Sequence, residues 1–319
     1  MYGAKVDPLS SLSRIRELDA LRGFAVGGIM VVNTWQHAQK GLPVPLDWPI
    51  DALLQGRFYP IFSLLFGISF VLFMERAGRW MLLSRLFWLF VFGLIQHTWY
   101  EGEVLTDYAF YGALVLLPVS FLSPGLPVLL LGLGAVAWAV FFIGGGVLLI
   151  PGMFLLGMAL MQLRPPRGLL LPAFGVSAVA AVLLTAAASS PGRTPTVVLL
   201  SDLAAVAAYS TGLVLVLRPW LSAVLEPMGK MALTNYVSGT LVIVFTAGLV
   251  DADPTRWRVL AVAGVTLAAQ AAFSWWWLSR FRYGPLEWIW RMLTRFRYVP
   301  NRLESGRDEN RPLPDPGVA

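Results

Sequence analysis

The chain has 319 residues, of which 57% are hydrophobic and 13% are charged, and its mean hydropathy is +0.68. So few charges exclude a soluble enzyme, a disordered chain and a coiled coil, and they indicate a protein with several membrane spans. The absence of cysteine and the presence of only two histidines exclude disulfides, a thiol nucleophile and a three-histidine metal site. We attribute the net charge of +6 to basic cytoplasmic loops, and we expect neither a metal ion nor nucleic acid as a partner.

The first 17 residues are charged and have no cleavable signal peptide, which predicts a cytoplasmic N-terminal segment. Ten apolar stretches follow, each long enough to cross a bilayer, and Pro and Gly mark the turns between them. A glycine turn at 144–146 must divide the fifth stretch from the sixth, so nine or eleven spans remain alternatives. The predicted spans are 18–38, 57–74, 79–98, 104–122, 125–143, 146–163, 169–188, 195–217, 229–250 and 257–279.

The C-terminal region differs from the transmembrane domain at 18–279. Within 280–300, apolar side chains alternate with Arg291, Arg295 and Arg297, which predicts an amphipathic helix lying at the membrane interface. Residues 301–319 are polar and rich in proline, which predicts a disordered tail. The fold class is therefore all-α: a polytopic membrane protein of about ten helices with an interfacial C-terminal helix.

Charge predicts the orientation. If the N-terminus is cytoplasmic, the inner segments hold 19 of the 24 basic residues. The outer segments hold only Lys40, Arg57, Arg193, Arg256 and Arg258. Such a bias predicts that both termini face the cytoplasm.

A polar stripe follows the first predicted span. At about 100° per residue, Asp19, Arg22, Asn33 and His37 fall within an arc of about 60° along about 27 Å of helix. Asp19 and Arg22 are an ion-pair candidate at the inner end of this stripe. Polar side chains in a membrane usually face a bundle interior or a wet cavity, so the stripe predicts a hydrated shaft through the protein. The alternative is that Asp19 and Arg22 face lipid headgroups and that His37 is interfacial.

The outer ends of the spans hold the candidate catalytic residues. Asn33 is one helical turn before His37, where its amide can orient the imidazole as a base. His97 ends the third span and Asp107 opens the fourth, so these two form a candidate acid–base pair. An interfacial position is the alternative for His97.

Other polar residues are candidates for binding. Asp202 is predicted to face inward as a partner for Arg57 or a histidine, and both are candidate substrate-binding residues. Asn235 either joins the binding site or makes a hydrogen bond between helices. Basic residues on the inner side suit phosphates of a lipid headgroup or a cofactor, with positive-inside topology as the alternative. The candidate cofactor-binding residues are Asp19, Arg22, Arg76, Arg79, Arg85, Lys230 and Asn235.

Five stretches, taken together, resemble the YeiB-like bacterial membrane protein family, also called domain of unknown function 418. They are 18–25 (LDALRGFA) followed by Asn33, 57–68 (RFYPIFSLLFGI), 104–109 (VLTDYA), 229–236 (GKMALTNY) and 283–291 (YGPLEWIWR). More distantly, the first stretch is similar to transmembrane acyltransferases such as lysosomal heparan-α-glucosaminide N-acetyltransferase, in which the histidine lies further beyond the asparagine.

This resemblance implies an activity. The chain would take an acyl group from cytosolic acyl-CoA and deliver it to a hydroxyl or amine of a small-molecule or lipid-linked acceptor. His37 would be the general base, Asn33 would orient it or stabilise the oxyanion, and Asp107 or His97 would be a second acid–base group. The alternatives are a transporter of a small or lipidic solute and a lipid-binding scaffold. The expected location is the bacterial cytoplasmic membrane, with lipids as partners and a homodimer as one option.

Overall fold

A computed structural model describes residues 8–38 and 43–303, and side chains from residue 16 onward. Helices dominate the described residues, so the all-α prediction is confirmed. Residues 8–17 form the first turns of the first helix, and most of the predicted tail lies outside the described residues. The helices are α1 Pro8–His37, α2 Asp47–Leu53, α3 Phe58–His97, α4 Leu105–Tyr111, α5 Leu117–Val119, α6 Leu126–Trp138, α7 Leu149–Leu163, α8 Leu170–Ala188, α9 Pro195–Val216, α10 Pro219–Lys230, α11 Ala232–Asp251, α12 Trp257–Leu278 and α13 Pro285–Arg295.

The helix α1 lies at the centre of the bundle. It contacts α3, α9, α10, α11 and α12, and Ala20 and Ala25 on it are fully buried. Its closest neighbour is α10: a Cβ on Gly23 would overlap the Leu225 carbonyl oxygen, and one on Gly229 would overlap that of Asp19. The two backbones are therefore in contact, an approach that small residues permit between membrane helices.

One long helix contains two of the predicted spans. The helix α3 has 40 residues, and at Gly78 its backbone leaves the helical region with φ 76° and ψ 171°. Only glycine adopts this conformation without strain. Gly78 therefore divides α3 into two segments at the boundary that the sequence predicts between 57–74 and 79–98.

Seven helices within the described part of the chain are long and apolar enough to cross a membrane. One of these stretches, 47–97, has 51 residues and includes both predicted spans of α3. The helix α1 is outside this set because its polar stripe lowers its hydropathy, and 105–119 is outside it because it is short. A protein with several membrane spans is confirmed, whereas the number of ten spans stays a prediction.

The sequence did not predict α10. The ninth span is predicted from 229, but the chain turns at Met231, where φ is −108° and ψ is 31°, and α11 begins only at Ala232. Pro227 near the end of α10 cannot donate a helical hydrogen bond, which favours a break within a few residues. This break leaves the N-terminal N–H groups of α11 free to bond outside their own helix.

The helices α8 and α9 form a hairpin at the periphery. Every residue of α8 is at least partly exposed, and α8 packs mainly on α9. The hairpin is joined to the bundle through α9, where Tyr209 donates a 2.8 Å hydrogen bond to the Leu53 carbonyl. An all-apolar exposed helix is stable only in contact with lipid, in agreement with a membrane location.

Candidate functional site

A cavity of about 200 Å³ lies inside the bundle between α1, α3, α4, the end of α10, α11 and α13. Its charged side chains are at one end. Arg22 lies two turns before Ile29 on α1, and Arg85 lies one turn before Leu89 on the second segment of α3. Apolar residues that line the rest of the cavity include Val26, Phe62, Leu65, Phe66, Leu86 and Leu105.

We call Arg22, Arg85 and Lys230 the basic mouth of this cavity. Arg22 donates to Asp19 Oδ1 at 2.6 Å and to Ser69 Oγ at 2.6 Å, so the predicted Asp19–Arg22 ion pair is confirmed. Lys230 lies 4.0 Å from a Glu226 oxygen, and its side chain is half exposed. The mouth therefore keeps positive charge that is accessible from the end of the bundle.

Arg85 is held by aromatic rings. Its Cζ lies 3.7 Å from the centre of the Trp290 ring and 4.7 Å from that of Phe73. No carboxylate of the described residues lies within ion-pairing distance of it. A guanidinium fixed by stacking keeps its N–H donors available, which suits the recognition of a phosphate or carboxylate.

Glu287 joins α13 to the start of α11. Its carboxylate accepts hydrogen bonds from the backbone N–H groups of Leu233 and Thr234 at 2.8 and 3.0 Å and from Thr234 Oγ1 at 2.6 Å. These bonds satisfy the N–H groups that the break at Met231 exposes, and a carboxylate at a helix N-terminus is favourable. Burial raises the pKa of Glu287 despite these bonds. The cap therefore fixes α13 across the basic mouth.

Tyrosines close the opposite end of the cavity. The Tyr236 hydroxyl accepts a 3.2 Å hydrogen bond from Val104 N–H, which joins α11 to the start of α4. The Tyr108 hydroxyl is 2.7 Å from Ser63 Oγ and donates to the Tyr59 carbonyl at 3.1 Å. The cavity is thus an apolar pocket with a cationic entrance and an aromatic floor.

The polar stripe on α1 does not border one continuous shaft. Arg22 lines the cavity, but Asn33 lines a separate small cavity that shares Val26, Ile29 and Tyr236 with the first. His37 is exposed, stacks on Tyr100 with ring centres 4.7 Å apart, and has Nδ1 3.1 Å from the Asn33 carbonyl oxygen. The prediction of a single hydrated shaft is wrong, because apolar and aromatic side chains divide the stripe into three levels.

Three predicted cofactor-binding residues lie elsewhere. Arg76 is exposed and outside the cavity lining. Arg79 donates to Ser120 Oγ and to its carbonyl oxygen at 3.1 and 2.8 Å. Asn235 donates to the Met228 carbonyl and to Ser274 Oγ at 3.1 and 3.0 Å, so it makes the hydrogen bonds between helices that were the alternative.

Arg57 and Asp202 form an ion pair of 2.7 Å between the start of α3 and α9, so the predicted partnership is confirmed. Both side chains are buried, with 4% and 12% exposure, and Arg57 also donates to the Asp51 carbonyl at 3.3 Å. Neither Arg57 nor Asp202 lines the main cavity. The pair connects the α8–α9 hairpin to the bundle.

His97 and Asp107 do not form the predicted pair. His97 is exposed at the end of α3, and no ion pair joins it to Asp107 within the described part of the chain. At the start of α4, the Glu103 carboxylate accepts hydrogen bonds from the backbone N–H groups of Leu105 and Thr106 at 2.6 and 3.1 Å. Catalytic roles for His97 and Asp107 stay predictions.

The sequence did not single out Ser69, Tyr236, Glu287 or Trp290 as site residues. Three of them lie in the stretches 229–236 and 283–291, which meet at the Glu287 cap. One sequence feature could have pointed to Glu287: it is an acidic residue near the start of an amphipathic helix, just after Pro285. Such a residue either faces water or has a buried partner. The N–H groups that serve as its partners became available only through the unpredicted break at Met231.

The fold and the cavity define a class: an all-helical membrane protein with an amphipathic internal pocket. A family model described as protein of unknown function, DUF418, matches residues 160–297. An uncharacterized 39.9 kDa protein from Bacillus acidopullulyticus is 31% identical over 95% of this chain and its own full length. The uncharacterized protein YeiB of Escherichia coli is 27% identical over 91% of this chain and 98% of its own. The chain belongs to the YeiB-like DUF418 family. No solved structure matches it significantly.

Proposed function

We propose that this protein is a membrane acyltransferase that binds acyl-CoA through the basic mouth. The observation that carries the proposal is the separation of the cavity into a cationic entrance and an apolar interior. A ligand that fits both parts has phosphates at one end and a long, largely apolar chain at the other. Acyl-CoA has this form, and the positive-inside bias predicts that the mouth faces the cytoplasm, where the donor is found.

The fit of the donor can be argued from the contacts. Its phosphates would accept hydrogen bonds from the Arg85 guanidinium, which has no acidic partner within the described residues, and from Lys230. Arg22 is already paired with Asp19 and Ser69, so it is better suited to fixing the wall of the mouth. The chain of the donor would extend along Val26 and the other apolar residues toward Tyr236.

The transfer step would take place toward the opposite end of α1. An acceptor hydroxyl or amine would give its proton to His37 as its oxygen or nitrogen attacks the thioester carbonyl. The carbonyl–sulfur bond would break, and the CoA thiolate would take up the proton. Support comes from the order along α1, where the cavity, the small cavity around Asn33 and the exposed His37 follow one another. Contact of donor and imidazole requires that Tyr236 move, because it lies between the two cavities.

Binding can be tested with a matched pair of arginines on α3. Wild type, Arg85→Gln and Arg79→Gln would be reconstituted in nanodiscs and titrated with palmitoyl-CoA. A lost charge-assisted hydrogen bond costs about 1.5–3 kcal/mol, which corresponds to roughly 10–150-fold weaker binding for Arg85→Gln. Arg79→Gln should bind as wild type does, because Arg79 bonds to Ser120 outside the cavity. Equal affinities of all three proteins, or no binding by wild type, would refute the proposal.

The transfer itself can be tested with the two histidines. His37→Ala should abolish acyl transfer or thioester hydrolysis while palmitoyl-CoA binding and thermal stability are retained. His97→Ala tests the predicted second acid–base group separately, because both imidazoles are exposed at the ends of long helices. Turnover that survives in His37→Ala would contradict the role of this residue without affecting the proposed donor site.

One observation favours transport as a second candidate. The break between α10 and α11 lies beside Lys230 at the mouth, and interrupted helices are common at the binding sites of transporters. In proteoliposomes, a transporter would move a phosphate-bearing amphiphile across the bilayer with no change in its covalent structure. Flux of intact ligand together with no acyl transfer would decide for this candidate.

A further inference from the structure

A second apolar space lies next to the main cavity, and Leu65 lines both. It is a crevice of about 420 Å³ between the α8–α9 hairpin and the bundle formed by α1, α3 and α7. The residues that line it include Leu18, Leu21, Ile61, Ile68, Ala173 and Val214. We call it the hairpin crevice.

An open apolar crevice in a membrane protein must be filled. The hairpin is joined to the bundle by the Arg57–Asp202 pair and by Tyr209, whereas the crevice lies toward the end of α9 that follows Ser210. Water in this crevice would find few polar partners, so an apolar chain from the surrounding lipid is the favourable occupant. Along α3, from Ile61 to Ile68, the lining extends about 10 Å. An extended chain of about eight or nine single bonds spans that length.

The end of the crevice carries two arginines and the carboxylate of Glu17. Arg164 and Arg167 line it, and Pro165 and Pro166 between them hold the connection from α7 to α8 extended. The Arg164 side chain is 46% exposed, and its acidic neighbour Glu75 is 3.9 Å away, a separation at which an exposed pair contributes little. Arg167 is 55% exposed and bonded to Glu17 at 2.7 Å. Arg164 is therefore the side chain best placed to bind an anion at this end.

We propose that the hairpin crevice is a binding site for an anionic phospholipid. One acyl chain occupies the apolar crevice, and the phosphate is bound by Arg164, with Arg167 beside it. The lipid fills the space between the hairpin and the bundle that protein side chains leave open. This site shares only Leu65 with the main cavity, so it does not depend on the proposed acyltransferase activity.

The test compares lipid retention between matched variants. Wild type would be reconstituted with phosphatidylcholine and phosphatidylglycerol, extracted into mild detergent and analysed by native mass spectrometry. We expect one retained phosphatidylglycerol per chain. Ala173→Trp fills the crevice and should lower retention at least tenfold, whereas Val182→Trp, which is 70% exposed on the opposite face of the same helix, should leave it unchanged. Arg164→Gln should lower the preference for phosphatidylglycerol over phosphatidylcholine about tenfold, and Arg193→Gln should not.

A measurement on the wild-type chain covers the case in which a variant does not fold. A phosphatidylglycerol with a photoreactive acyl chain should crosslink to peptides of α1 and α9 that line the crevice. Equal retention of both lipids, no retained lipid, or crosslinks spread evenly over the outer faces of α8 and α12 would each overturn the proposal. Because palmitoyl-CoA binding at the basic mouth is measured separately, failure here leaves the proposed function unaffected.

Discussion

The buried ion pair between Arg57 and Asp202 gives a quantitative prediction. Replacing Arg57 by methionine leaves the Asp202 carboxylate with 12% exposure and without its cation. Removal of one partner from a buried pair costs about 3–5 kcal/mol, because the remaining charge is uncompensated. Asp202→Leu should cost less, since Arg57 keeps its bonds to the Gln55 and Asp51 carbonyl oxygens. The double variant should recover most of the loss, because two apolar side chains replace both charges.

The assay is unfolding in detergent micelles for wild type, the two single variants and the double variant. The coupling energy of this cycle should be about 2–3 kcal/mol and favourable to the native pair. Glu75→Gln is the control: its partner Arg164 is 3.9 Å away and both side chains are about half exposed, so the change should cost less than about 1 kcal/mol. Either of two results would refute the argument that burial makes this pair important for stability. One is that the free-energy losses of the two single variants add up to that of the double variant, and the other is a loss below about 1 kcal/mol for Arg57→Met.

Three further outcomes are expected. Gly229→Ala should destabilise the protein by about 1–3 kcal/mol in the same unfolding assay, because its Cβ would overlap the Asp19 carbonyl oxygen, whereas a Cβ on Gly175 meets nothing within 4 Å and Gly175→Ala should not destabilise it. The pKa of Glu287 is raised above its ordinary 4.5, so the folded state binds a proton more tightly than the unfolded state. The contribution of Glu287 to stability should therefore be greatest below about pH 4.5 and fall as the pH rises toward the raised pKa, and Glu287→Gln should make the measured slope shallower. Trp290→Ala should weaken palmitoyl-CoA binding several-fold, since Arg85 loses the ring that fixes it; unchanged affinity would contradict that role.

The sequence predicted the ion pair of Asp19 and Arg22 from spacing alone. Residues three apart on a helix are neighbours, so the helical period settles their contact before any tertiary packing. The same period placed Asn33 and His37 on the stripe, but it could not show what faces each level of it. Tyr236 from α11 and Tyr100 from the loop after α3 divide the stripe, and both come from segments distant in the chain.

The basic mouth was only half predictable. Arginines near the ends of several spans indicated a cluster, yet spacing could not distinguish Arg85, which stacks on Trp290 at the cavity, from Arg79, which bonds to Ser120 away from it. The two are less than two turns apart on α3. Which face of a helix meets a partner depends on the packing of the whole bundle.

Composition and hydrophobic period by themselves determined that this chain is an all-helical membrane protein, because only helices satisfy every backbone group within their own segment in lipid. They also located most of the spans, which are local features. The tertiary structure alone decided the break at Met231, the Glu287 cap that it requires, and the two apolar spaces that α1 helps to line. Each of these depends on contacts between residues far apart in sequence, and no local pattern encodes such contacts.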